Sequence, residues 1–95
     1  MKRTKEENAK YKKFERVMKG GANHRRVEIL FLLEKNPGFS VDQISQDKEI
    51  AFVTVASHLQ KMHHSGLITK NYIGRTVVHS LTPYGKNIIT FLRML

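Results

Sequence analysis

The sequence predicts a mostly α-helical (α+β) domain of about five helices and one two-stranded β-hairpin. Three features predict this class. Apolar residues recur at helical spacing in several stretches that glycine or proline separates. Two β-rich runs, residues 67–72 and 76–81, flank Gly74-Arg75, as in a hairpin. The chain has 95 residues, the size of one domain, which we expect to span residues 1–95.

The first two predicted helices differ in their apolar content. A basic helix over residues 5–18 carries a narrow apolar stripe and is ended by Gly20-Gly21. So thin a stripe should pack on the domain or on a partner chain; it fits a membrane surface less well. A second helix, with Asn23 as N-cap and its end near Lys35, is apolar nearly all round and should be buried at the centre.

A helix-turn-helix follows. Ser40 and Gln43 have the spacing of a capping box at the start of a short third helix, about residues 41–46. Residues 47–50 then connect this helix to a fourth one that begins at Phe52. Two short helices joined by such a turn, the second with a polar outer face, are typical of a helix-turn-helix.

The fourth helix, predicted over residues 52–64, is the element around which the chain is organised. Val55, Leu59 and Met62 recur at i, i+4 and i+7, so they should face the core. Gly66 suits the left-handed position that ends a helix. The outer face is small or polar apart from Phe52, which leaves it free to meet a partner.

The last helix begins with Thr82 as N-cap and Pro83 as its first residue. A core this small cannot cover the apolar stripes of both the first and the last helix. We therefore expect a homodimer in which segments 1–20 and 82–95 form the interface. The residues expected there are Tyr11, Phe14, Met18, Tyr84, Ile88, Phe91, Leu92 and Leu95.

The charge distribution favours a polyanionic partner. The formal net charge is +9, and no Asp or Glu occurs from Ile50 to Leu95, a stretch with five Lys/Arg and four His. Double-stranded DNA attracts such a surface through its phosphates. The alternative is a basic globule with no such partner. The chain has no cysteine and no apolar run of membrane-spanning length, and it begins with no secretory signal, so we expect a cytoplasmic protein.

The order of elements is that of a winged helix-turn-helix, and several motifs in that order resemble the ArsR-type bacterial and archaeal transcriptional regulators. The similar segments are residues 24–30, Thr54-Val55-x-x-His58-Leu59, residues 65–68, Gly74-Arg75 and residues 80–85. The resemblance covers roughly residues 22–86. It implies a homodimer, a recognition helix over residues 52–64 in the major groove, and a wing over residues 72–76 at the backbone or the minor groove. It also implies repression that is released by a metal or another signal.

The resemblance assigns DNA contacts to the recognition helix and the wing. The expected residues are Phe52, Val53, Thr54, Ala56, Ser57, His58, Gln60, Lys61, Lys70 and Arg75. The family usually places Gln or Ser at the positions of Phe52, Val53 and Ala56. These three apolar side chains can only touch thymine methyls, so shape and phosphate contacts should contribute more. His58 has a second expected role, as a half-buried brace for the helix.

The turn before the recognition helix also departs from the family pattern. It has Lys48-Glu49 where the family has a glycine. Either Glu49 takes a left-handed conformation, or the turn differs.

The sequence predicts no cofactor, no metal site and no enzyme. His63 and His64 are adjacent and point about 100° apart on a helix, whereas a ligand pair needs i, i+4 spacing. The sensor sites of the family need cysteines, or Asp and His on the last helix; this chain has no cysteine, and residues 83–95 contain neither Asp nor His. No nucleophile–base spacing or phosphate-binding loop occurs, and no effector can be named. The alternative function is a winged-helix module that binds protein through Phe52, Val53 and Ala56.

Overall fold

The computed structural model describes residues 4–95, so the first three residues of the predicted N-terminal segment 1–20 lie outside the described residues. The described chain forms five helices and one two-stranded antiparallel sheet, which confirms the predicted class. The elements are α1 (Lys5–Gly21), α2 (His24–Lys35), α3 (Val41–Lys48), α4 (Phe52–His64), β1 (Ile68–Ile73), β2 (Thr76–Leu81) and α5 (Pro83–Arg93).

Helix α1 does not end at residue 18, as the sequence predicted, but continues through both glycines to Gly21. The reason is packing. Gly20 is buried, and a Cβ at this position would collide with the side chain of Ser65. The glycine therefore lets α1 approach the end of α4 closely instead of breaking the helix.

Helix α2 is the centre of the core, as predicted. Asn23 caps it by accepting from the backbone N–H of Arg25 at 2.9 Å. Ile29, Leu30 and Leu33 are completely buried. Around them pack Ile44, the inner faces of α4 and α5, and the start of β1.

The capping box of α3 is confirmed: the Gln43 N–H donates to the Ser40 hydroxyl at 3.2 Å, and the Ser40 N–H donates to the Gln43 side chain at 2.9 Å. The helix runs two residues beyond its predicted end, to Lys48. Glu49 follows with a φ of +55°, so the first of the two expected turn conformations is the observed one. Such a residue is strained unless its neighbours fix it. Here the Ser45 hydroxyl donates to the Ile50 carbonyl at 2.5 Å and closes the turn.

The hairpin forms with Gly74-Arg75 at its tip; β1 begins and ends one residue later than the predicted run. Ile68 lies opposite Leu81, and Ile73 lies opposite Thr76. A single bridge from Phe39 to His79 ties the loop before α3 to β2. Buried Leu67 and Ile68 anchor the base of the wing in the core.

Helix α5 begins with the predicted Thr82 cap, whose hydroxyl accepts from Gly85 N–H at 3.2 Å and donates to the Gly66 carbonyl at 2.5 Å. Ile89, which the sequence pattern did not indicate, is buried in the core, and half-buried Ile88 packs against the same core. At the other end of α5, both guanidinium Nη atoms of Arg93 donate to the Glu34 carboxylate on α2, one of them at 2.7 Å. This ion pair lowers the pKa of Glu34 and raises that of Arg93.

Candidate nucleic-acid interface

The N-terminal half of helix α4 packs on the core with one face and exposes the opposite face. Val55, Leu59 and Met62 are buried along its inner face, as the sequence predicted. The outer face of its N-terminal half points away from the rest of the chain: Val53 is 79% exposed, and Phe52 is 52% exposed. Thr54 and Ser57 are exposed beside them, and Ala56 is half-buried. A helix about 10–12 Å across with one free face matches the width of a DNA major groove.

The first turn of α4 has no side-chain cap. Its N-cap residue is Ala51, which has no oxygen to accept from the backbone N–H groups of the turn. The positive end of the helix dipole and these N–H groups are therefore available to an anion. Ala51 was not among the residues expected at the interface. The available signal was an alanine directly before the helix, where Ser, Thr, Asp or Asn is preferred.

His58 lies in a joint between three helices. Its Nδ1 accepts a hydrogen bond from Arg26 Nε at 3.2 Å, and Arg26 Nη1 donates to the Lys19 carbonyl at 2.9 Å. Partial burial, together with the nearby Arg26 and Lys61 charges, lowers the pKa of His58 and favours the neutral ring that this bond requires. Of the two roles expected for His58, this geometry supports the brace. Arg26 was not among the expected site residues.

The other expected residues on and after α4 lie apart from Phe52 and Val53. Gln60, Lys61 and Lys70 line an open cleft that the C-terminal half of α4 forms with α1. Lys61 and Lys70 are exposed. The predicted DNA-contacting set therefore divides into an apolar group near the start of α4 and a cationic group near its end.

The wing carries Arg75 at its exposed tip, as predicted. Gly74 has a φ of +63°, which a tight turn requires and a glycine adopts without strain. Beside them, Tyr72 is 75% exposed and Ile73 is also exposed. These two apolar side chains at the tip were not expected. The signal was in the sequence, since both lie directly before the Gly74-Arg75 turn, where a hairpin tip extends from the core.

Among residues 4–95, no group of three or more His, Asp or Glu side chains could hold a metal ion.

No helix in the described part of the chain is long and apolar enough to cross a membrane.

A sequence profile of the bacterial regulatory proteins of the arsR family matches residues 23–70. This segment contains α2, the helix-turn-helix and the start of the wing. No curated protein matches the chain significantly.

Several solved structures share the whole fold. One is a homodimeric winged helix-turn-helix DNA-binding domain from Mycobacterium bovis, described as a possible ArsR-family transcriptional regulator. It has a TM-score of 0.87 and 21% identity over 99% of this chain and 87% of that one. Reduced HlyU from Vibrio cholerae has a TM-score of 0.78 and 27% identity over 96% of each chain. The transcriptional repressor PagR of Bacillus anthracis has a TM-score of 0.80 and 27% identity over 90% of this chain and 98% of that one.

Proposed function

Because this chain belongs to the arsR family of bacterial regulatory proteins and is a winged-helix DNA-binding regulator domain, we propose that it is a homodimeric cytoplasmic repressor. The family is one of transcriptional regulators and not of enzymes. In the proposal, residues 52–64 enter the major groove and the wing, residues 72–76, lies at the backbone or the minor groove.

One observation carries the proposal for the DNA-contacting surface. The outer face of α4 is exposed, and the chain from Ile50 onward contains no carboxylate side chain. A segment that meets phosphates and carries no Asp or Glu of its own gains from counterion release. The uncapped start of α4 adds backbone donors for one phosphate, and Arg75 adds a charge at the wing.

Phe52 and Val53 define how bases would be read. Neither side chain can donate or accept a hydrogen bond, so their base contacts are limited to the methyl group of thymine. Thr54 and Ser57 are the nearby exposed side chains on α4 that can hydrogen-bond to a base or a phosphate. We therefore expect operators with thymines at defined positions, and specificity that also depends on DNA shape.

The dimer is proposed from the two exposed apolar surfaces. The first surface, on α1, consists of Tyr11, Phe14 and Met18. In the C-terminal segment, residues 82–95, the exposed side chains are Tyr84, Phe91 and Leu95, with Ile88 and Leu92 half-buried. A two-fold axis would place two recognition helices in successive major grooves, about 10 bp apart, on a palindromic site. Repression would follow from occupying a promoter, as expected from the similarity to a known repressor.

The test is a titration of duplex DNA, selected from random sequence by this protein, at 50 to 200 mM salt. We expect affinity to fall steeply over this range, on the order of 10³-fold if six or more phosphates are contacted. Val53→Asp should weaken binding at least tenfold, because it places a carboxylate against the groove. Thr90→Asp, on α5, makes the same charge change at another exposed site and should change affinity less than twofold.

Two results would overturn the proposal. One is wild-type protein that binds no duplex at 50 mM salt. The other is an equal loss of affinity in both variants, which would place the contact surface outside the outer face of α4.

A further inference from the structure

The C-terminal halves of α1 and α4 enclose an open cleft of about 1140 Å³. Gly20 and Ser65, both buried, lie where the two helices meet. Because a side chain at Gly20 would collide with Ser65, this close approach of α1 to α4 depends on the glycine. The shape of the cleft is thus set by helix packing.

The cleft is strongly cationic. Its lining includes five Lys or Arg side chains from α1, α2, α4 and β1, two histidines and a single carboxylate, Glu15. Glu15 already pairs with Lys19 at 3.7 Å. The cationic lining residues are Arg16, Lys19, Arg26, Lys61 and Lys70, and the histidines are His63 and His64. Concave walls of one charge sign concentrate the electric field, so the cleft attracts anions more strongly than the same charges on a flat surface.

One of these cations is already held in position. Arg26 is fixed by its bonds to His58 and to the Lys19 carbonyl. These bonds use two of the five N–H donors of its guanidinium, and Arg26 is one of the residues that line the cleft. A cation that is ordered before its ligand arrives loses less conformational entropy when the ligand binds.

The location separates the cleft from the proposed groove-reading surface. His63 is eleven residues beyond Phe52 on α4, about 16 Å along the helix axis. Arg16 and Lys19 belong to α1, which lies outside the helix-turn-helix. No Phe, Tyr or Trp side chain is among the lining residues, so the site offers charges for phosphates and no large aromatic platform for a base.

We propose that this cleft binds a small anion with several linked phosphates, of the class of inorganic triphosphate or a nucleoside triphosphate held by its phosphates, as a regulatory ligand. Several phosphates are needed to engage cations spread over four elements. Such a ligand would occupy Lys61 and Lys70, which DNA phosphates would also use in the proposed function, so the two ligands compete. The regulatory part therefore rests on the proposed function, whereas the binding itself does not.

The first experiment measures binding by calorimetry at 150 mM salt without divalent metal. The probes are orthophosphate, pyrophosphate, inorganic triphosphate, ATP and GTP. We expect triphosphate, ATP and GTP to bind with similar affinity, pyrophosphate several-fold more weakly, and orthophosphate most weakly.

Two double variants remove cations from the same face of α1, one pair inside the cleft and one pair outside it. Arg16→Ala/Lys19→Ala should weaken triphosphate binding at least tenfold. Lys5→Ala/Lys12→Ala removes the same charge from the same face of α1, one to three turns before the cleft. This control should change the affinity for triphosphate less than twofold. An equal loss in both double variants would overturn the proposal, because general charge and not the cleft would then bind the anion.

A titration with DNA distinguishes a cleft that binds free polyphosphate from a cleft that contacts the phosphates of the DNA backbone. In wild-type protein, triphosphate should lower DNA affinity; in Arg16→Ala/Lys19→Ala, DNA should still bind and triphosphate should no longer compete. If the double variant weakens DNA binding and wild-type protein binds no polyphosphate, the cleft contacts DNA backbone and the inference is wrong. If wild-type protein binds triphosphate but no duplex, the inference stands and the proposed function fails.

Discussion

Phe52 and Val53 are exposed apolar side chains on the outer face of α4. If they contact thymine methyl groups, each contact should contribute measurably to DNA affinity. Burying one methyl group is worth ~0.8 kcal/mol, about fourfold in affinity. Replacing contacted thymines by deoxyuridine in the selected site should therefore weaken binding about fourfold per methyl.

A double-mutant cycle assigns that loss to a residue. Val53→Ala should reduce the difference between thymine and deoxyuridine DNA, because the partner of the methyl has been shortened. Ser57→Ala, one turn further along the exposed face, should leave the difference unchanged. Equal affinity of wild-type protein for both DNAs would show that α4 reads no methyl group.

His79 is a buried titratable side chain whose protonation opposes folding. Its Nδ1–H donates to the Phe39 carbonyl at 3.0 Å, and burial lowers its pKa. In the unfolded chain the ring titrates near its ordinary value of about 6.5. Between the two pKa values the unfolded chain binds more protons, so stability is lost as the pH falls below about 6.5. The lowered pKa of His58 acts in the same direction.

We therefore expect the Tm to fall between pH 7.5 and pH 5.5 in thermal unfolding. His79→Asn keeps a nitrogen donor near the Phe39 carbonyl but does not titrate. It should be less stable than wild type at pH 7.5, since it is smaller, and should lose less Tm on acidification. His64→Asn removes an exposed histidine from α4 and serves as the control, which should lose more Tm on acidification than His79→Asn. A loss of Tm in His79→Asn as large as that of the wild type would assign the pH dependence to other groups.

At the scale of elements, the wing is a hairpin whose exposed tip carries both a cation and apolar side chains. Its base is buried at Leu67 and Ile68, and its tip presents Arg75 beside exposed Tyr72 and Ile73. Arg75→Ala should weaken DNA binding several-fold for all sequences and lower the salt slope by about one unit, the share of one phosphate contact. Lys86→Ala makes the same charge change on α5 and should leave the slope as it is. An unchanged slope in Arg75→Ala would remove the wing tip from the contact surface.

The elements that the sequence predicts well are those fixed by near neighbours. The capping box of Ser40 and Gln43 and the cap at Thr82 depend on residues three positions apart, and each forms as predicted. The Glu49 turn was predicted only as one of two alternatives, because its conformation depends on the Ser45 hydroxyl.

What the sequence did not predict depends on contacts between distant segments. Gly20 reads as a helix stop, yet it is a packing position against Ser65, 45 residues away. Arg26 reads as a surface cation, yet it joins α2 to His58 on α4 and to the end of α1. The basic cleft follows from these same contacts, so neither its lining nor its depth could be read from local patterns.

On the scale of the whole molecule, α1 extends beyond the rest of the fold. Every residue from Lys5 to Arg16 is exposed, and the radius of gyration is 14.6 Å, compared with about 12–13 Å for a compact chain of this length. Three turns of so exposed a helix are marginal in water unless they pack on another surface. The Nζ atom of Lys13 lies 5.4 Å from the centre of the Tyr84 ring, which links α1 to the start of α5. Both helices that carry the proposed dimer surfaces are therefore in contact at that point.

A single charge on α5 tests that interface. Phe91 is 60% exposed, and burying this share of a phenyl group against a partner would contribute about 2–3 kcal/mol per subunit. Phe91→Asp should therefore convert a dimer of about 22 kDa (2 × 11.0 kDa) into monomers in sedimentation velocity. Thr90→Asp, the adjacent exposed residue, should remain dimeric. The monomer should also lose most of its affinity for a two-half-site operator while keeping its affinity for a single half-site, because only the linkage between recognition helices is lost. Dimers that persist in Phe91→Asp would show that α5 does not form the interface, and α1 alone would then have to hold the subunits together.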